Sequence, residues 1–169
     1  MDGGVAIFAA GNDEYFESSY PGAYHKYISV AAMSSDYTAA YYTNYGPGCS
    51  LTAPGGDINY GMIFCISSTS VDLTWGYEYM QGTSMATPHV SGCAALALSY
   101  ALKQGYTLTS EELRTLILTS VHDINCYQTG TKSCFDYENN CDYDMPLEPY
   151  VGKLGAGYID AHLLLMQMD

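Results

Sequence analysis

Residues 5 to 10, Val-Ala-Ile-Phe-Ala-Ala, form an unbroken apolar run that stops at Gly11-Asn12-Asp13. A strand without polar alternation has no face to give to water, so this run reads as a parallel strand buried on both faces, followed by a loop. The run Tyr27-Ile28-Ser29-Val30-Ala31-Ala32 repeats the pattern after the turn Tyr20-Pro21-Gly22. Leu51-Thr52-Ala53 before Pro54-Gly55-Gly56 gives a third strand, and Met62 to Ile66 reads as a fourth.

The pattern then turns helical. From Ser84 to about Lys103, the residues Ala86, Val90, Ala94, Ala95, Leu96, Ala97 and Leu98 leave little polar face, which predicts a helix in the middle of a domain. Thr109-Ser110-Glu111-Glu112 has the Thr-x-x-Glu spacing of a capping box, and Leu113, Leu116, Ile117 and Val121 follow as one apolar stripe. Apolar strands followed by helices argue for an α/β arrangement of helices around a sheet.

A chain of 169 residues is long enough for one compact domain and too short to expect two. With 18 acidic against 5 basic residues the formal charge is −13, a field that repels phosphate backbones and anionic membrane surfaces and argues against nucleic acid as a partner. No run of 18 or more apolar residues is present, so no membrane span is expected. Residues 123 to 150 are rich in Asp, Asn, Tyr and Cys and read as an acidic surface insertion, better explained as a solvated loop than as a calcium site, because no EF-hand spacing occurs in it. The six cysteines, at 49, 65, 93, 126, 134 and 141, include no CxxC pair that would suggest zinc; disulfides and buried free thiols both remain open.

The stretch with chemical content is Gly82-Thr83-Ser84-Met85-Ala86-Thr87-Pro88-His89. It puts a serine in the first turn of an apolar helix, where unpaired backbone N–H groups and the helix dipole stabilise negative charge. Gly82 leaves room for a substrate backbone. On spacing alone, a serine or threonine that merely caps the helix explains the pattern equally well.

The motif Gly-Thr-Ser-Met-Ala-Thr-Pro-His-Val-Ser-Gly strongly resembles the nucleophile motif of the subtilisin-like serine protease family. Three other stretches agree in order: Ala9-Ala10-Gly11-Asn12 with the oxyanion-hole segment, Tyr45-Gly46 through Thr52-Ala53-Pro54-Gly55 with the middle loops, and Gly155-Ala156-Gly157-Tyr158-Ile159-Asp160-Ala161 with the closing turn and helix. The resemblance implies an α/β fold, a subtilisin-like parallel sheet flanked by helices, with 1–169 as the C-terminal portion of one peptidase domain whose N-terminal part is missing. It implies that Ser84 is the nucleophile and that the Asn12 side chain and the Ser84 backbone N–H hold the oxyanion. Ala10 and Gly11 line one wall of the pocket for the residue before the scissile bond, with Ser19 near its base, Asp13 at its mouth and Gly82 beside the substrate.

The family's catalytic Asp and His motifs are absent, so no base transfers onto this sequence. His89 is five residues past Ser84, about 140° around the helix, and His25, His122 and His162 match no catalytic position. The expected partners are a peptide or protein substrate and the missing N-terminal half of the domain, and the expected setting is secreted or cell-envelope associated. No cofactor is required for the chemistry. A structural Ca²⁺ is an option at the carbonyls of Gly22, Tyr24 and Tyr27, weakened because Ser50 stands where the family has a carboxylate. Two other readings are a pseudoprotease that binds peptides without cutting them and a Ca²⁺-dependent module built on 123 to 150.

Overall fold

The computed structural model describes residues 4–71 and 76–169. Three strands, β1 (Ile7–Ala9), β2 (Ile28–Met33) and β3 (Leu51–Pro54), lie side by side and parallel. A two-stranded hairpin, β4 (Ile66–Thr69) with β5 (Tyr77–Met80), leads to the long helix α1 (Thr83–Gln104), and α2 (Ser110–Thr119) follows. After the short strand β6 (Val121–His122) the chain makes a second hairpin, β7 (Thr131–Asp136) with β8 (Cys141–Pro146), and closes with β9 (Tyr158–Ile159) and α3 (Ala161–Met166). The main sheet has the order β1-β2-β3-β9-β6, with only β6 antiparallel to its neighbour.

The alternation of side chains along β2 builds the molecule. Ile28, Val30 and Ala32 point to a core shared with Ala86, Val90, Ala94 and Ala97 of α1, Leu113 and Ile117 of α2, and Leu164 of α3. Ala31 and Met33 point the other way, into a second core completed by Ile124, Cys134, Met145, Leu147, Tyr150 and Leu154. Helices cover one face of the sheet and the β7–β8 hairpin covers part of the other, so every residue of β2 is buried, as its apolar sequence predicts. The alanine stripe of α1 lets its backbone approach the sheet closely.

Several expectations are corrected. β1 is only half-buried, because it lies at the edge of the sheet among the described residues. Residues Met62–Phe64 form a 3-10 turn after Gly61, whose φ is +102°, and their side chains are exposed; the strand begins only at Ile66. Helix α1 is covered on one side only: Pro88, Ser91, Gly92, Ala95 and Leu96 face outward. Segment 123 to 150 is not a solvated loop throughout, since Ile124, Gln128, Lys132, Cys134, Met145, Leu147 and Tyr150 are all buried. All six cysteines are free thiols, and burial pushes the Cys49 thiol up to about 12. The capping box is present as expected, with Thr109 Oγ1 accepting from Glu112 N at 3.2 Å and Glu112 Oε2 accepting from Thr109 N at 2.7 Å.

Candidate active site

The loop after β1 and the turn into α1 meet through one side chain. Asn12 Oδ1 accepts hydrogen bonds from the backbone N–H of Thr83 at 2.9 Å and from Thr83 Oγ1 at 2.8 Å. A backbone N–H can only donate, so the atom facing it must be the amide oxygen, which fixes the carboxamide's orientation. Asn12 Nδ2 is thereby turned away and makes no hydrogen bond among the described residues. Thr83, wholly buried, also accepts from Gly11 N at 3.2 Å, so its hydroxyl ties the two loops together.

Gly82, the residue before α1, is fixed by its own N–H, which lies 3.0 Å from Gly55 O and 2.9 Å from Tyr42 Oη. The Tyr42 hydroxyl donates in turn toward Gly55 O and Gly56 O, and burial holds its pKa well above the tyrosine range. Gly82 O takes the N–H groups of Met85 and Ala86, at 2.9 and 3.2 Å, while Thr83 N is taken by Asn12. Of the helix's first N–H groups, that of Ser84 is left without a partner among the described residues. A side chain at Gly82 would put its first carbon 3.4 Å from Asn12 Nδ2 and 3.7 Å from Ser84 N, so the two uncommitted donors border one small space that only glycine keeps open. The backbone there, φ +145° and ψ 161°, is itself essentially restricted to glycine.

The wall of the expected substrate pocket is organised by Asn44, a buried residue that the sequence reading did not single out. Its side-chain oxygen accepts from Asp13 N at 2.8 Å and Tyr15 N at 3.1 Å; its amide nitrogen donates to Ala10 O and to Ser19 Oγ, both at 3.2 Å. Ala10, Gly11, Asp13 and Ser19 are therefore brought together around one amide. Gly11, at φ +115°, has no room for a side chain, since its first carbon would lie 2.3 Å from Asn44 Nδ2. Beyond Asn12 the loop and the β7–β8 hairpin enclose a cleft of about 520 Å³ with Glu14, Tyr41, Phe135, Asp136 and Tyr143 among its walls. Burial, and then the nearby Asp136 carboxylate, raise the Glu14 carboxyl above its ordinary value.

Ser84 is exposed on the open side of α1, and no hydrogen bond reaches its hydroxyl among the described residues. Pro88 has no N–H to return to the Ser84 carbonyl, so the turn at Ser84 is also released from the helix ladder. His89 folds back onto its own helix, Nδ1 lying 2.9 Å from Met85 O. His122 pairs with Asp160 at 2.8 Å, and His25 packs against Tyr24 with ring centroids 4.6 Å apart and the rings tilted by 56°. None of these histidines is joined to Ser84.

Two of the oxygens considered for a cation carry hydrogen bonds. Tyr24 O already accepts from Tyr27 N at 2.8 Å, and Ser50 Oγ from Ser29 N at 3.0 Å. No group of three or more His, Cys, Asp or Glu side chains that could hold a metal occurs among the described residues.

Residues 2–144 match the model of the subtilase family, peptidase S8. Halolysin of Haloferax mediterranei is 36% identical over 125 residues, which is 74% of this chain and 21% of halolysin. The extracellular basic protease of Dichelobacter nodosus is 36% identical over 124 residues, 73% of this chain and 20% of that protein. A solved structure from Pseudoalteromonas arctica, described as proteases of that organism, superposes with a TM-score of 0.70 at 24% identity and covers 99% of this chain and 43% of its own. The match thus spans about a fifth of the length of these two curated relatives. Among the described residues no helix is long and apolar enough to cross a membrane.

Proposed function

Because the chain belongs to the subtilase family, we propose that it forms the nucleophile-bearing part of a secreted or envelope-associated serine endopeptidase, with Ser84 attacking the peptide carbonyl. The observation that carries this reading is the pair of uncommitted donors, Asn12 Nδ2 and Ser84 N, bordering the space above Gly82. Hydrogen bonds aimed where charge develops, and not used up elsewhere, stabilise a transition state without reorganisation.

In the proposed reaction Ser84 Oγ bonds to the scissile carbonyl carbon and its proton passes to a histidine outside residues 1–169. The carbonyl oxygen becomes an oxyanion that accepts from Asn12 Nδ2–H and Ser84 N–H. The tetrahedral intermediate collapses with loss of the amine, which takes the proton, and leaves an acyl-enzyme on Ser84 that water hydrolyses. In a subtilisin, loss of the oxyanion asparagine costs about 10²–10³ in turnover. Ala10, Gly11 and Ser19, small and held by Asn44, leave room for a large side chain before the scissile bond, and Asp13 at its mouth tolerates a basic one. The relatives named as extracellular support export, and the proposed steps require no cofactor.

The test compares casein cleavage by the full-length protein and by residues 1–169 alone. The reading expects rapid cleavage by the first, abolished by Ser84→Ala, and none above the residual level of oxyanion stabilisation by the second. A full-length protein that binds peptides and cuts none is the pseudoprotease outcome and overturns it.

A further inference from the structure

Lys132, on the hairpin strand β7, is buried together with its partner: its side chain is 1% exposed, that of Asp57 is 0% exposed, and Nζ lies 2.6 Å from Asp57 Oδ2. The ammonium also reaches Ser34 Oγ at 2.6 Å and Ala39 O at 2.6 Å. On the other side, Ser34 Oγ donates to Asp57 Oδ2 at 2.8 Å, and Asp57 Oδ1 accepts from Asn59 N and Asn59 Nδ2, both at 3.0 Å. Every strong hydrogen-bonding capacity of the two charges is used. Phe135 N, three residues along β7, donates to Asn59 Oδ1 at 2.8 Å and grips the same loop a second time.

The loop so held is the one on which the nucleophile turn hangs. Two residues before Asp57, Gly55 O accepts from Gly82 N, and the Tyr42 hydroxyl bridges Gly55 O, Gly56 O and Gly82 N. Immediately after it, Ile58 N donates to Gln81 Oε1 at 2.7 Å, and Gln81 Nε2 donates to Tyr41 Oη at 2.8 Å. Residues 81 and 82, the last two before Thr83 and Ser84, are thus anchored on either side of Asp57, at Ile58 and at Gly55. A fully buried ion pair adds little net stability over a well-packed apolar pair, so what this one supplies is a single defined geometry of the 55–59 loop.

Resting on the protease reading above, we infer that Lys132 is a positioning residue: it acts through Asp57 and the 55–59 loop to set Gly82 and the Ser84 amide where the oxyanion forms. The substrate wall at Ala10, Gly11 and Ser19 is held separately by Asn44 and does not depend on it. Losing Lys132 therefore withdraws an interaction made only in the transition state, which lowers kcat and leaves KM in place.

The experiment uses the full-length protease and its Lys132→Met variant, with active sites titrated by a fluorophosphonate and kcat expressed per titrated site. The expected result is a fall of about tenfold in kcat per site with KM changed by less than about twofold, a partial form of the loss that follows removal of an oxyanion donor. A purely stabilising role would lower the number of titratable sites and leave kcat per site unchanged, and that result overturns the proposal. Should Lys132→Met fail to fold, Ser34→Ala, which removes the hydroxyl shared by the two charges without stranding either, is expected to lower kcat per site a few fold; no change overturns the proposal. A wild-type full-length protein that takes up no fluorophosphonate overturns the protease reading and this inference with it.

Discussion

Replacing Thr83 by valine separates the two roles that the structure gives its hydroxyl. Thr83 is wholly buried and valine has nearly its volume, so no cavity opens. What disappears is the 2.8 Å bond to Asn12 Oδ1 and the acceptor for Gly11 N at 3.2 Å. Leaving the Gly11 N–H unsatisfied costs about 1–3 kcal/mol of stability. Asn12 keeps one of its two anchors, the Thr83 N–H at 2.9 Å, so its amide is loosened rather than lost. The effect on turnover should then be smaller than the ~10²–10³ of deleting the donor, about tenfold in kcat, or ~1.4 kcal/mol in the barrier. Steady-state hydrolysis of a peptide anilide by the full-length protease, alongside thermal melting, measures both quantities. An unchanged kcat with a lowered melting temperature would refute the role assigned to Thr83 in holding Asn12.

Gly82→Ala should be the more damaging change for catalysis: its methyl group enters the space between Asn12 Nδ2 and Ser84 N, and its backbone strain costs of order 1–3 kcal/mol. The account expects kcat to fall at least as far as it does in Asn12→Ala; near-wild-type turnover in a folded variant would contradict it. Asp160 caps α3 by accepting from His162 N and Leu163 N, and the Leu163 N–H and His122 hold its carboxyl below the usual range. A carboxyl with a lowered folded-state pKa contributes stability that is full above its unfolded pKa, about 4, and is lost as pH falls through the folded value. Asp160→Ala should therefore cost about 1 kcal/mol in urea unfolding at pH 7 and distinctly less at pH 3, whereas an equal gap at both pH values would show that charge plays no part.

The apolar runs at 5–10 and 27–32, the capping box at Thr109 and the glycine before Ser84 were readable because each is a local pattern that a single element satisfies. The contacts that shape the site were not. Asn44 binds Ala10 and Ser19, 34 and 25 residues away, and Lys132 meets Ser34 98 residues away. No local spacing records such pairs, and a lone lysine in an acidic, polar stretch reads as solvated. Met62 to Ile66 misled for a related reason: a short apolar run has no period, and the positive φ of Gly61 turned it out of the sheet. The open face of α1 was not read either, since Ala95 and Leu96 stand on it among Ser91 and Gly92 and blur the polar stripe that would have marked it.

The central claim is that Ser84 is the nucleophile of a protease whose base lies outside residues 1–169. Treating the full-length protein and the isolated chain with a fluorophosphonate, then locating the adduct by peptide mass, tests it most directly. The account predicts stoichiometric modification of Ser84 in the full-length protein and negligible modification of residues 1–169 alone. An unmodified Ser84 in the full-length protein, or equally fast labelling of both, would contradict it.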